Sequence, residues 1–379
     1  MRIAFISTMA AVPWGGSEVL WQQTALAALA QGHAVLASVY RRDPLPPQLQ
    51  ALAAAGAELH LRPLYSPSLA TRLTRRVQTA LHLLKPLSAA LAAFRPDIIC
   101  VSQGGNFEIT QMAWLREALV QSGVPFCFVC HNYDASQLPA AEMRQTGRQI
   151  FARAARVFFV SQEQAHVSQR QLATRLPNAE LVKNPVNLPA AELLPWPTSA
   201  EPQLAIVAGV DINRKGQDIA LEVLSTPRWQ QRAWHLNIYG DGPDHEYVVE
   251  LLALYKLQAR VTLHGNVADV TSIWRQNHLL LVPSRREAAP LVVMEAMLCG
   301  RPVVGTAVGS IAEWLTEGQT GFVAAAATVP LFEAALEQAW QAQSSWEAMG
   351  SNAHEWAGQY ADLKAAETFL TRLQALAAS

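Results

Sequence analysis

Charge is scarce in this chain of 379 residues, with 16% Asp, Glu, Lys and Arg against 51% hydrophobic residues. That balance excludes an intrinsically disordered protein, which needs high charge and little apolar surface. Only four cysteines occur, too few and too scattered for a disulfide framework. No apolar run reaches the ~18 residues of a membrane-spanning helix. A D-x-D pair and any convincing His/Asp metal set are missing, so no metal site is expected, nor any bound cofactor. The first glycine loop lacks the G-x-G-x-x-G pattern, which counts against a dinucleotide-dependent dehydrogenase. No nucleic-acid-binding motif is present either. The opening MRIAFISTMAAV carries one basic residue and a short apolar run that leads into a glycine turn. It reads as a first strand rather than a leader, and a cytoplasmic protein is expected.

The charge that is present is unevenly spread. Residues 1–187 hold 17 Lys and Arg against 10 Asp and Glu, a balance of +7, whereas the remainder balances at −8. A basic first half suits an anionic acceptor or an anionic membrane face. Residues 66–94 sharpen this. Arg72, Arg75, Arg76, His82 and Lys85 accompany leucines at helical spacing, a pattern that fits either a surface helix or peripheral contact with the inner membrane face. Cys127 and Cys130 form C-x-x-C before His131, but PFCFVCHN reads as a buried strand and no second ligand pair follows.

The chain divides into two α/β halves. IAFIS, a glycine loop, a helix from Glu18 to Gln31 and the strand HAVLASVY make a β-loop-α-β opening, the mark of a parallel, doubly wound sheet. Gly15 and Gly16 allow backbone to approach a ligand closely. DIICVSQG and PFCFVCHN end in polar residues, and ligands of open α/β sheets gather at strand carboxyl ends. Gln103 to Asn106, His131, Asn132 and Asp134 are therefore candidate site residues. Expected boundaries are a first domain over 1–187, a proline-rich linker over 188–202, a second domain over 203–355 and a terminal helical segment over 356–379.

The most informative stretch is PSRREAAPLVVMEAMLCGRPVVGTAVGSIAEWLTEGQTGFV, residues 283–323. Glu287 and Glu295 flank the start of a short helix with seven residues between them. Pro290 suits its first turn and Gly300 can end it. A second helix opens at Gly309-Ser310, with Ser310 a plausible N-cap. Unpaired amides at helix N-termini bind anions, so a diphosphate could rest on Leu291 and Val292, beside Ala289 and Pro290. Carboxylates are poor phosphate ligands but good acceptors for sugar hydroxyls. A nucleotide sugar, with hydroxyls on both sides of its diphosphate, fits that spacing.

The stretch resembles the E-x7-E motif of the large retaining glycosyltransferase family 4, which adopts the GT-B fold of two doubly wound, Rossmann-like domains with the donor in the cleft between them. The likeness extends to EAM-x-x-G-x-PVV and VG-x-x-x-E, and the E-G-F-G opening of many members is here Glu287-Ala288-Ala289-Pro290. The resemblance implies that Glu287 contacts the donor sugar and Glu295 the nucleotide ribose. It further implies that His131 lies near the transferred sugar, that Asn266 and Val267 lie near the nucleobase, and that Gly15 and Gly16 lie near the donor phosphates and acceptor. KNPVN is similar to the family's P-N-G-V-D hinge, with Asn184 the matching asparagine. Where members carry Gly-Arg and then Lys-Gly, this chain has Gly209-Val210 and Lys215-Gly216. Lys215 is in register to neutralise a diphosphate, whereas Val210 removes an arginine's bidentate contacts and Arg214 is the neighbouring cation that could replace them.

The implied activity is metal-independent, retaining transfer of a sugar from a nucleotide-diphosphate sugar to a hydroxyl of a glycan or lipid-linked glycan. Glu287, His131 and Lys215 are the catalytic candidates. Three rivals remain open at this level: a sugar-nucleotide epimerase of the same fold, a non-catalytic partner protein, and a carbohydrate-binding module, the last disfavoured by the phosphate-type helix ends.

Overall fold

The computed structural model describes residues 1–10, 14–64, 86–188 and 190–378. It resolves into two compact units, one of Met1–Pro185 with Lys364–Ser379 and the other of Val186–Leu363. In the first unit seven strands are β1 (Arg2–Ser7), β2 (Ala34–Tyr40), β3 (Glu58–Arg62), β4 (Ile98–Gly105), β5 (Phe126–Asn132), β6 (Arg156–Phe159) and β7 (Ala179–Leu181). They form one parallel sheet in the order β3-β2-β1-β4-β5-β6-β7. Because helices cover both faces of such a sheet, its central strands are apolar on both sides. Ile3 to Ile6, Ile98 to Val101 and Phe126 to Cys130 are all buried, as that requires.

The second unit repeats the plan. Its strands are β8 (Gln203–Val207), β9 (His235–Tyr239), β10 (Val261–Gly265), β11 (Leu279–Val282), β12 (Val303–Thr306) and β13 (Gly321–Ala324), in the order β10-β9-β8-β11-β12-β13. In each sheet the winding reverses beside the first strand, between β1 and β4 and between β8 and β11. The loops leaving those strands diverge at that point and leave room for a ligand. Each half is therefore the doubly wound α/β structure expected from its strand pattern.

Three boundaries differ from expectation. The proline-rich stretch is no loose tether. Leu194 is buried, and the fully buried Arg301 guanidinium donates to the Leu194 carbonyl at 3.3 Å and the Pro195 carbonyl at 2.7 Å, knitting the segment into the second unit. The terminal helical segment breaks in two. Helix Trp346–Tyr360 stays with the second unit, where His354 Nδ1 meets the Leu298 carbonyl at 2.6 Å. Helix Ala365–Ala377 belongs to the first unit, held by Thr24 Oγ1 donating to the Ala366 carbonyl at 3.3 Å and by Phe369 edge-on to Phe158. The return thus begins at Lys364 rather than residue 356. Of the basic segment over 66–94, helix Leu87–Phe94 buries Leu87, Leu91 and Phe94, while Arg72, Arg75, Arg76, His82 and Lys85 lie outside the described residues.

Candidate functional site

In the second unit the carboxyl ends of β8 and β11 are tied together by backbone. After Val207 the chain makes the short turn of helix Ile212–Lys215, opened by Asp211, whose side chain accepts from the Arg214 amide at 3.2 Å. Gly216 ends that turn at φ +66, and a Cβ there would stand 2.1 Å from the Pro283 carbonyl oxygen. Only glycine allows the two loops to close in this way. The Arg214 carbonyl then accepts from the amides of Arg285 and Arg286 at 2.8 and 3.2 Å. Arg285 completes the junction with a bidentate pair to Asp218, both contacts 2.7 Å, and that partner raises its pKa.

This junction brings two of the sequence-predicted residues into direct contact. Lys215 Nζ donates to Glu287 Oε1 at 2.6 Å, and Ser284 Oγ donates to the same oxygen at 2.9 Å. Both side chains of the ion pair are largely shielded, at 17% and 11% exposure, so solvent screens the pair less than it would on the surface. The backbone behind Glu287 is clamped as well. Gly309, at φ +58, leaves no room for a Cβ against the Glu287 and Ala288 carbonyls, and the Ser310 amide donates to the Ala288 carbonyl at 2.9 Å.

Beyond Ala289, Pro290 is the cap of helix Leu291–Leu298 rather than a residue of its first turn. The amides of Leu291 and Val292 are the first two of that helix and have no carbonyl one turn earlier to donate to. Glu295 lies within the helix and is 4% exposed. Its Oε1 accepts from the Asn187 side chain at 3.1 Å and the Asn187 amide at 3.4 Å. Burial raises its pKa, and the Asn187 contacts oppose that shift.

Other candidates stand differently from expectation. Val210 is buried in the hydrophobic core of the second unit, so the position points inward and suits an apolar side chain. Arg214, the expected substitute for an arginine there, pairs instead with Asp211 at 3.4 Å and is half exposed. Gly209 sits in ordinary contact with the Asp241 carbonyl, and its own carbonyl accepts from Gln217 Nε2 at 3.0 Å. Asn266 is exposed after β10, while Val267 packs against the core. Ser310 precedes a helix of only four residues, and its side chain caps nothing; its amide is already engaged, so this second helix end offers less to an anion than the sequence suggested. Asn187 of the hinge-like KNPVN reaches Glu295, while the side-chain oxygen of Asn184 is buried without a partner among the described residues.

The first unit gathers a different set at the ends of β1, β3, β4 and β5. Gly15 caps helix Gly16–Ala30, and space is open beside Gly16. Glu18, the third residue of that helix, is 4% exposed and accepts from Ser7 Oγ at 3.0 Å; burial pushes its pKa up to about 7. Arg62 is 6% exposed between the rings of Tyr40 and Trp114, and burial pushes its pKa down to about 10. Its Nε and Nη1 lack partners among the described residues, while Nη2 donates to the Ser7 carbonyl. Glu108 accepts from Thr8 Oγ1 and from the amides of Gly104 and Gly105, the latter two at 3.2 and 2.8 Å. His131 stands at the end of β5 with both ring nitrogens shielded and unpartnered among the described residues, and desolvation pushes its pKa down to about 4. Gln103 and Asn106, by contrast, are buried in structural hydrogen bonds to Ile109, Ser168 and Gln164.

Ser284, Asn187, Glu18 and Arg62 were not singled out from sequence. A trace existed for two: Glu18 follows Gly15-Gly16 by a fixed short step, and Ser284 precedes Glu287 by three positions. Among the described residues no three His, Cys, Asp or Glu side chains converge to hold a metal ion, and none of the helices is long and apolar enough to cross a membrane.

Comparison with known proteins agrees with both halves. Residues 201–342 match the family of glycosyl transferases group 1, and residues 14–188 match glycosyltransferase family 4. N-acetyl-alpha-D-glucosaminyl L-malate synthase of Bacillus anthracis is 35% identical over 88 residues, 23% of each chain. Lipopolysaccharide glucosyltransferase WaaG of Escherichia coli is 34% identical over 125 residues, 32% of this chain and 33% of that one. The chain thus matches about a quarter to a third of the length of these curated relatives. A crystal structure of HepE from Anabaena in complex with UDP superposes with a TM-score of 0.72 at 19% identity, covering 99% of this chain and 100% of that one. Such a likeness shows the fold, and the fold is GT-B. With a family match in each unit and two doubly wound sheets beneath them, the second unit is a domain of the glycosyl transferases group 1 family and the first a domain of glycosyltransferase family 4.

Proposed function

We propose that the protein is a retaining, metal-independent glycosyltransferase that moves a sugar from a nucleotide-diphosphate sugar to a hydroxyl of a glycan or lipid-linked glycan. The observation that carries this reading is the Lys215–Glu287 contact of 2.6 Å, set one short loop before the free amides of helix Leu291–Leu298. A cation and two unpaired amides suit a diphosphate, and a shielded carboxylate beside them suits the hydroxyls of a sugar joined to it. As the glycosidic bond of the donor breaks, negative charge grows on the diphosphate. Lys215 and the Leu291 and Val292 amides are the groups we assign to stabilise it. Glu287 holds the sugar and Glu295 the ribose. The bonds from Asn187 converge on Oε1 of Glu295, which leaves Oε2 for a ribose hydroxyl.

In the first unit we assign His131 to the sugar and the Gly15-Gly16 turn to the phosphate or acceptor side. A neutral imidazole can both donate to and accept from a hydroxyl, and its low pKa keeps it neutral. The acceptor then attacks from the face the leaving group occupied, its proton passing to a phosphate oxygen. The net basic first half supports an anionic acceptor, and the relative named for lipopolysaccharide work makes a lipid-linked one the natural choice. Peripheral attachment to the inner membrane face follows from the same charge.

The test is a melting-shift panel of UDP-, GDP- and ADP-sugars with the wild type, Lys215→Ala and Glu295→Ala. The expected result is a shift with one nucleotide series that each substitution diminishes; no shift with any of them would sink the donor site. Transfer measured with EDTA present should be undiminished. A second reading, a partner protein that binds the nucleotide sugar without turning it over, is favoured by Val210, which leaves the site without an arginine at that position. Release of free sugar or transfer to an acceptor rejects it.

A further inference from the structure

We infer that Glu287 is a specificity-determining residue that selects the intact sugar nucleotide against the bare nucleoside diphosphate. The inference rests on the nucleotide-sugar reading above and goes beyond it, since it concerns what Glu287 does to the ligand that lacks a sugar. The starting point is that Lys215, the cation assigned to the diphosphate, is already engaged. Its Nζ stands 2.6 Å from Glu287 Oε1, and Ser284 Oγ pins that oxygen from another direction at 2.9 Å.

The backbone that carries each partner is held in place. Lys215 ends a turn whose Gly216 packs directly on the Pro283 carbonyl, and Glu287 sits on backbone clamped by Gly309 and by the Ser310 amide. A diphosphate that reaches Lys215 therefore arrives within a few ångströms of a fixed carboxylate. Two anions around one shielded cation repel each other strongly, because little water intervenes to screen them.

A sugar changes the balance in two ways. Its hydroxyls donate to Glu287 and replace the hydrogen bond that the carboxylate gives up when Lys215 turns to phosphate. Esterification of the terminal phosphate also removes about one negative charge that the free nucleoside diphosphate carries near neutral pH, by analogy with the second ionisation of a phosphate monoester. The bare diphosphate has the extra charge and no hydroxyl, so it meets Glu287 as a like charge and competes with it for Lys215. This is discrimination by a repulsive element rather than by an added attraction. It also favours departure of the nucleoside diphosphate once the sugar has been transferred, when Glu287 recaptures Lys215.

The experiment is calorimetric titration of the full chain, at fixed ionic strength, with UDP, GDP and ADP and with their glucose conjugates, for the wild type, Glu287→Gln and Ser284→Ala. Glu287→Gln should bind the matching nucleoside diphosphate about tenfold more tightly, the scale of one charge-assisted hydrogen bond. It should bind the glucose conjugate several-fold more weakly, so the preference inverts. Ser284→Ala, which frees the carboxylate without removing it, should move the nucleoside diphosphate in the same direction by less, and it stands in should Glu287→Gln not fold. If either folded variant weakens both ligands in parallel, or leaves the nucleoside diphosphate unchanged, the inference is overturned while the donor-site reading stands. If the wild type binds none of the six compounds, the donor-site reading falls first and takes this one with it.

Discussion

The two units share a strand order and place their polar residues at the same point of the sheet, yet they treat charge in opposite ways. In the second unit three ion pairs stand near the strand ends: Lys215 with Glu287, Arg285 with Asp218, Arg214 with Asp211. In the first unit the comparable groups are incompletely paired, and Glu18 and Arg62 are more deeply buried. Glu18 has one serine contact, Arg62 has two donors without partners among the described residues, and His131 has none for either nitrogen. A paired site stays ionised and can exchange one of its ions for a ligand's. A buried unpaired site shifts its pKa values toward neutrality instead, which makes it sensitive to pH. The same topology thus yields one half with ion pairs at its strand ends and another whose buried groups are only partly paired.

Removing the cation should break that contrast most severely. Lys215→Ala leaves Glu287 shielded without its counter-ion and takes charge stabilisation from the leaving diphosphate. Transfer should fall about 10²–10³-fold in kcat, with a smaller change for a variant at the exposed Arg214. Equal losses at the two positions would refute the division of roles between them.

Glu18→Gln tests the buried side of the comparison. The folded pKa of Glu18 lies near 7, above its ordinary 4.5, so folding favours the protonated form. Its contribution to stability is complete below pH 4.5 and is lost as the pH rises toward 7. One proton over that window amounts to about 3 kcal/mol. The neighbouring charges are Arg62, which opposes the shift, and Glu108, which supports it. Glutamine keeps the neutral form at every pH, so melting curves of the variant should flatten between pH 4.5 and 7 while those of the wild type decline. His131 works in the other direction. Its pKa is depressed to about 4, so its contribution is complete above 6.5 and is lost as the pH falls toward 4. His131→Phe should therefore remove acid sensitivity, by about 2 kcal/mol after allowing for partial exposure, and should lower transfer at neutral pH without lowering stability there.

The fold was legible because its determinants are local. Apolar runs such as IAFIS and LLLV, separated by helical stretches, specify parallel strands without any knowledge of partners. The loop-helix around Glu287 and Glu295 was legible for the same reason, since both residues lie on one short segment. What escaped was pairing across the chain. Lys215 and Glu287 are separated by 72 positions, and Asn187 and Glu295 by 108, so no periodicity connects them. Arg301 and Arg62 were missed for another reason, because nothing local marks an arginine in a loop or at a strand end as buried until the fold shows what it holds. Val210 was the opposite case. The departure from the expected arginine was visible, but its inward direction depends on Gly242 and Asp241 packing over the turn.

The smallest change predicted here would turn part of the second unit into something like the first. Asn187→Ala removes the 3.1 Å side-chain hydrogen bond to Glu295 and leaves only the longer 3.4 Å contact from the backbone amide. Burial already raises the pKa of Glu295, and Asn187 restrains that rise. Without it the carboxyl moves further up, so the loss of stability is modest at pH 5 and grows as the pH rises through the new folded value. About 1 kcal/mol is expected at pH 8, the net worth of one hydrogen bond to a charged or polar partner. Because Glu295 is assigned to the ribose rather than to the reacting sugar, KM for the donor should rise while kcat changes little. A loss of melting temperature that is the same at pH 5 and pH 8 would show that Asn187 only braces the segment before β8, and that the carboxylate does not depend on it for its charge.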